Sequence, residues 1–304
     1  MADPLTSGRS VSPALAFGIA AGGIGLFSIM DAFMKSLVLG IGVYNALFWR
    51  TMIGAGFGAV VWRGSGGGWP SRRAMRLHLA RGCVTAAMAT LFFWGLARVP
   101  MAQAIALTYI APLLALLLGA WVLHERVGPR VVVASAVAFG GVLVVLAAQS
   151  RMALGPEALH GSVAILVSAV LYAVNLVIAR VQAQAARPQE IAFFQSSVVT
   201  LLLACAAPWF LVVPGADSWP KLVIGAALGT SSLLLLAWAY AHGDTGYLAT
   251  TEYTSFIYAA VLGFVVFGER VSLVTLAGAG LIVAACLYAA RCRDIAGAGV
   301  EAAA

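Results

Sequence analysis

The side chains able to do chemistry in this sequence are few, and they stand inside long apolar runs. Glu252 sits in Thr250-Thr251-Glu252-Tyr253-Thr254-Ser255, six consecutive polar residues that cover every side of a helix. Part of that helix must therefore face protein or water, and an acid at such depth is a functional candidate. Its carboxylate could contact a solute or hold a proton; it could equally stay protonated or cap a neighbouring helix. Arg50 lies eight residues into its run, too deep to reach water, and needs an acceptor, for which Asp31 and Glu252 are both candidates. It reads either as a structural clamp or as an anchor for a solute carboxylate. Asp31 and Lys35 are four residues apart on one helix face and are expected to form a local ion pair. The histidines His78, His124, His160 and His242 all stand at run ends, where a solvated or headgroup-facing ring is expected. With no histidine inside a run, no HExxH and no paired aspartates, the pattern argues against an intramembrane enzyme and against a bound metal.

The aromatic residues divide by depth. Trp62, Trp69, Trp121, Trp209 and Trp219 fall at or near run ends, where an interfacial belt accounts for them. Tyr109 and Tyr253 each lie about eight residues, or about 12 Å, from the start of a run. They approach mid-depth from opposite sides. Trp49, Phe193, Phe194, Tyr172, Asn175 and Asn45 are further lining candidates, so the expected solute-contact set is these six with Tyr109, Tyr253, Glu252 and Arg50. Gly18 with Gly22, and Gly54 with Gly58, have helix-packing spacing. Pro112 is expected to kink its helix just after Tyr109.

The elements that hold these residues follow from composition. Of 304 residues, 62% are hydrophobic and only 10% charged, far below the roughly one-quarter charged content of soluble domains. Crossing a hydrocarbon core of about 30 Å takes about 20 apolar residues. Runs of that length lie at 14–35, 43–62, 78–97, 101–123, 129–149, 160–180, 189–213, 220–241, 245–267 and 271–290. The reading is an all-α polytopic membrane protein of ten transmembrane helices, with no soluble domain. Residues 1–13 form an N-terminal cytoplasmic segment, 14–149 a first five-helix repeat, 150–159 a linker, 160–290 a second five-helix repeat and 291–304 a cytoplasmic tail, frayed from Ile295 to Ala304. The stretch Ser65-Gly66-Gly67-Gly68 lacks a following Lys-Ser/Thr and reads as a linker; no Walker motif or other cofactor fingerprint is present. The net charge of +7 forms no stripe with interleaved aromatics, which argues against a nucleic-acid partner. Instead the basic residues favour one side: with the N-terminus inside, eleven fall in inner segments and five in outer ones, placing both termini in the cytoplasm. The four cysteines show no disulfide or ligand spacing.

Within this frame the chain repeats. At an offset of 144, Trp94 falls on Trp238, Tyr109 on Tyr253, Gly119 on Gly263, and Glu125-Arg126-Val127 on Glu269-Arg270-Val271. At 145, Phe48-Trp49-Arg50 falls on Phe193-Phe194-Gln195 and Lys35 on Arg180. Five runs per copy is an odd number, so the second copy enters the membrane from the opposite face. Such inverted repeats recur in secondary transporters, where one plan closes either face around a central site. The aromatic-Arg element Phe48-Trp49-Arg50 and the Glu-Arg pairs ending the fourth and ninth runs resemble the EamA family of the drug/metabolite transporter superfamily, most of all its YddG-type exporters of aromatic amino acids. The resemblance implies a central cavity between the halves and export of a small metabolite across the inner membrane without ATP. Gln195 replaces the arginine in the second copy, so no role of that charge is symmetric.

Overall fold

The computed structural model describes residues 12–122, 129–151, 155–242, 248 and 250–301. Its helices are α1 (Pro13–Gly64), α2 (Arg72–Leu96), α3 (Met101–Thr108), α4 (Ile110–Val122), α5 (Pro129–Arg151), α6 (Gly155–Ala183), α7 (Pro188–Ala204), α8 (Ala207–Phe210), α9 (Ser218–His242), a 3₁₀ turn (Thr250–Tyr253), α10 (Thr254–Phe267) and α11 (Leu273–Glu301). Among the described residues there is no strand.

As a straight rod, the 52 residues of α1 would measure about 78 Å, more than twice the hydrocarbon thickness. Gly42, at φ 79° and ψ 161°, interrupts it with a backbone conformation that side chains forbid. Past that break the chain doubles back. Arg50 Nη1 lies 3.5 Å from Met30 Sδ, although twenty residues of straight helix would separate them by about 30 Å. The two limbs, 13–41 and 43–64, thus match the first two apolar runs.

The run at 101–123 is broken into α3 and α4 at Tyr109. Pro112 has no N–H for the Thr108 carbonyl, which explains the expected kink. The run at 245–267 breaks at Tyr253, where the 3₁₀ turn passes into α10. Both helices therefore break at the paired tyrosines. Two expectations are corrected. Instead of one span at 189–213, α7 stops at Ala204, because Pro208 cannot donate to that carbonyl, and the chain leaves helix after Phe210. The tail expected to fray is helical as far as Glu301.

α1 packs on α7 and α9, α2 on α6, and α5 on α11. Glycines permit the closest crossings: a Cβ at Gly95 would lie 2.5 Å from the Gly161 carbonyl, and one at Gly141 2.8 Å from that of Gly278. Gly58 likewise meets the Phe193 backbone at 2.9 Å, and Gly54 faces Ser196. Gly18 and Gly22 touch nothing within 4 Å; Gly23 and Gly25, against Leu236 and Tyr258, do the packing expected of them. Polar groups such as Asp31, Lys35, Gln103, Ser162, Asn175 and Gln182 are buried, while Val133, Phe139, Val261, Phe264, Val265 and Leu273 are exposed. That reversal of the soluble pattern suits a lipid-facing exterior. Four described helices are long and apolar enough to cross a membrane, among them Arg72–Leu96 and Gly155–Ala183, and four shorter apolar helices accompany them.

Candidate functional site

The breaks at the tyrosines release backbone carbonyls that a continuous helix would satisfy, and side-chain hydroxyls take them up. Ser255 Oγ donates to the Glu252 carbonyl at 2.6 Å. The Tyr109 hydroxyl lies 2.8 Å from Ser255 Oγ and within reach of the Tyr253 and Glu252 carbonyls, at 3.2 and 3.4 Å. The two rings meet edge to face, with centroids 5.4 Å apart and planes at 78°. The two tyrosines that the repeat pairs thus touch, and the Tyr109 hydroxyl bonds to the opposite half. Tyr109, Tyr253, Ser255 and the Glu252 carbonyl therefore form one locus, and the Glu252 carboxyl interacts electrostatically with Tyr172 and Tyr240, as Arg81 does with Tyr172.

A largely buried ion pair ties α1 to the segment that follows α10. Lys35 Nζ lies 2.5 Å from Glu269 Oε1 and donates to the Val99 carbonyl at 2.7 Å; Glu269 Oε2 accepts from the Met101 N–H at 2.7 Å. The side chains are 5% and 16% exposed, so both charges are largely removed from water. The local sequence accounts for the geometry. Gly268, at φ 67°, ends α10 and directs the N–H groups of Gly268 and Glu269 onto the carbonyls of Phe264 and Gly263. Glu269 Oε2 then occupies the space that a Cβ at Gly263 would take, 2.6 Å away. The recurrence of Gly263 and Glu269 in the repeat was the signal for this clamp. The expected Asp31–Lys35 pair does not form, because Lys35 finds a better acceptor across the bundle.

One turn from Lys35, Asp31 is 3% exposed and its Oδ1 has no hydrogen-bond partner. Arg50 is the opposite charge acting on it, so of the two acceptors considered for Arg50, Asp31 is the neighbour. The pair nevertheless stays beyond ion-pair distance. Arg50 Nε is buried without a partner, Nη1 contacts only Met30 Sδ, and the guanidinium lies 6.0 Å from the Phe93 ring centroid and against the Gly229 backbone.

The remaining candidates lie elsewhere. Asn45 Oδ1 accepts from the Val212 N–H at 2.9 Å, and Trp49 Nε1 donates to the Val212 carbonyl at 3.0 Å while its ring abuts Trp219. Both strap the non-helical stretch after α8. Phe193 and Phe194 pack on Trp62, and Phe194 also stacks on His78 at 4.9 Å, far along α7 from the tyrosines. Asn175 is bonded, not free: Arg81 Nε donates to its Oδ1 at 3.0 Å and its Nδ2 donates to Thr85 Oγ1 at 2.6 Å. The same chain of bonds continues through Gln182, which accepts from Arg81 at 2.7 Å and donates to His78 Nδ1 at 2.7 Å, to Glu190 on His78 Nε2 at 2.9 Å. His78 is fully buried, which corrects its solvated reading, whereas His160 and His242 are exposed. Trp69 and Trp209 are exposed as a belt requires. Trp121, His124, Arg180 and the first repeat triplet, Glu125 to Val127, lie outside the residues whose side chains are described.

A lipid-facing apolar exterior around buried polar groups, with helices broken where the two halves meet, defines a polytopic carrier-like membrane protein. The chain belongs to the EamA-like transporter family, whose model matches it twice, at residues 14–147 and 159–291. It is a transporter, not an enzyme. It is 29% identical over 270 residues to the pseudopaline exporter CntI of Pseudomonas aeruginosa, covering 87% of this chain and 92% of that one. It is 25% identical over 223 residues to a riboflavin transporter of Brucella anthropi, covering 71% and 76%. A solved crystal structure, 22% identical, superposes with a TM-score of 0.61 over 91% of this chain and 99% of its own, a likeness of fold. The relatives named here are a pseudopaline exporter and a riboflavin transporter, so they support small-metabolite transport and not aromatic amino acids in particular.

Proposed function

We propose that this protein is a secondary exporter of small metabolites, with aromatic or bulky apolar amino acids the favoured class. It works by alternating access between two inverted five-helix halves of the inner membrane, with both termini in the cytoplasm. The observation that carries the reading is the meeting of Tyr109 and Tyr253, one from each half, at matching helix breaks. Two half-helices hinged at mid-depth can tilt without breaking a continuous hydrogen-bond ladder, and the half-buried Tyr253 ring gives a solute an aromatic contact worth about 0.5–1.5 kcal/mol beyond its area. The clamp at Lys35 and Glu269 closes the end that the charge bias assigns to the outside, which supports an inward-facing state. The names of the relatives support a second reading, a metabolite other than an amino acid, of the kind that a pseudopaline exporter or a riboflavin transporter is named for, at the same site.

The test is uptake by proteoliposomes from a panel of labelled amino acids and metabolites, against protein-free liposomes. Tyr109→Ala and Tyr253→Ala should lower aromatic solute transport several-fold at normal membrane expression and small-solute transport less. Equal losses for all solutes would reduce the pair to packing, and no transport of any solute would remove the reading.

A further inference from the structure

Asp31 and Arg50 are two opposite charges held within the bundle, near each other yet not joined. Asp31 comes from the first limb of α1 and Arg50 from the second, so the fold-back at Gly42 alone brings them to similar depth. A buried carboxylate and guanidinium left apart are costly. Instead Arg50 spends its donors on a thioether at 3.5 Å and an aromatic face at 6.0 Å, and leaves Nε with nothing. Asp31 Oδ1, in a residue 3% exposed, has no donor. Around them stand Met30, the Phe93 ring and the bare backbone of Gly229, where a Cβ would lie 3.6 Å from Arg50 Nη1. Apolar walls with one cation and one anion, both unsatisfied, are the complement of a molecule that brings a carboxylate and an ammonium on neighbouring atoms.

We propose that Arg50 and Asp31 form a two-charge receptor for a zwitterionic α-amino acid group, Arg50 taking the carboxylate and Asp31 the ammonium. The inference rests on the transporter reading and names the head group of its substrate. A guanidinium presents two parallel N–H donors to a carboxylate, and an aspartate accepts from an ammonium, so each charge gains the hydrogen bonds it lacks. Lys35 of the clamp lies one helical turn from Asp31, which puts the head group beside the Lys35–Glu269 pair.

The test uses purified full-length protein and three probes of one shape: L-phenylalanine, phenethylamine, which lacks the carboxylate, and 3-phenylpropionate, which lacks the ammonium. Binding is read by ligand-dependent thermal shift and transport by competition in proteoliposomes. L-phenylalanine should bind at least tenfold more tightly than either analogue, the loss expected for a charge-assisted hydrogen bond. Arg50→Gln should erase the advantage over phenethylamine only, and Asp31→Asn the advantage over 3-phenylpropionate only. Arg50→Lys, which keeps the charge if the glutamine variant fails to fold, should retain part of the discrimination. Equal binding of the three probes by the native protein, no binding of phenylalanine at millimolar concentration, or variants that weaken all three alike would overturn the receptor. Transport of other solutes would survive those results, so the transporter reading fails only if nothing is transported.

Discussion

Removing the carboxylate of Glu269 isolates the clamp as a gate. In Glu269→Ala, Lys35 keeps the Val99 carbonyl and the face of the Phe267 ring but no counter-charge, and the Met101 N–H loses its acceptor. Deleting one partner of a buried pair costs about 3–5 kcal/mol, because the other charge is stranded; the partial exposure of Glu269 favours the lower end. A loss of about 3 kcal/mol from the closed state alone shifts its ratio to the open state more than a hundredfold. The reporter is a single cysteine at Ser28, seven residues from Lys35 on the same helix face and 4% exposed, after replacement of Cys83, Cys205, Cys286 and Cys292. A membrane-impermeant thiol reagent added from the clamp side should label it slowly in the native background and much faster with Glu269→Ala, and transport should fall several-fold. Replacing both partners, Lys35→Met with Glu269→Leu, should harm thermal stability less than Glu269→Ala, since no charge remains stranded. Unchanged labelling and unchanged transport in Glu269→Ala would refute the gate.

Other expectations follow from particular contacts. Gly42→Ala forces a side chain into the φ 79° conformation and should lower thermal stability by about 1–3 kcal/mol, read as a fall in melting temperature, even though a Cβ there would touch nothing within 4 Å. His78→Ala leaves Gln182 and the largely buried Glu190 without their shared partner and should reduce stability by about 1–3 kcal/mol, while His242→Ala, at an exposed ring, should not. The repeat carries Lys35 onto Arg180 and Glu269 onto Glu125. Glu125→Arg and Arg180→Glu should each slow transport in proteoliposomes and recover when combined; additive losses would count against a functional pair.

The fold was legible because its signals are long. Apolar runs of bilayer length and Pro112 after Tyr109 are properties of contiguous sequence, whereas the break at Gly42 was not read from it. The repeat also pointed to Tyr109, Tyr253, Gly263 and Glu269, which the structure joins in a ring contact and a clamp. What local spacing could not decide was partner choice across the bundle. Asp31 and Lys35 have the spacing of an ion pair, yet Lys35 bonds to a residue 234 positions away. His78 stands at the end of an apolar run, but the packing of α2 on α6 and α7 buries it among Gln182, Glu190 and Phe194. Trp49 and Asn45 were weaker lining candidates, and only the loss of helix after Phe210 gave them Val212 to hold.

The most direct measurement of the central claim is trans-stimulation in proteoliposomes. Vesicles preloaded with unlabelled L-phenylalanine should take up labelled L-phenylalanine faster than empty vesicles, because a loaded carrier returns its site across the membrane with substrate bound. Tyr253→Ala should blunt that acceleration at equal protein content. Uptake that ignores the internal load, or no uptake beyond protein-free vesicles, would contradict alternating access at a site between the two halves.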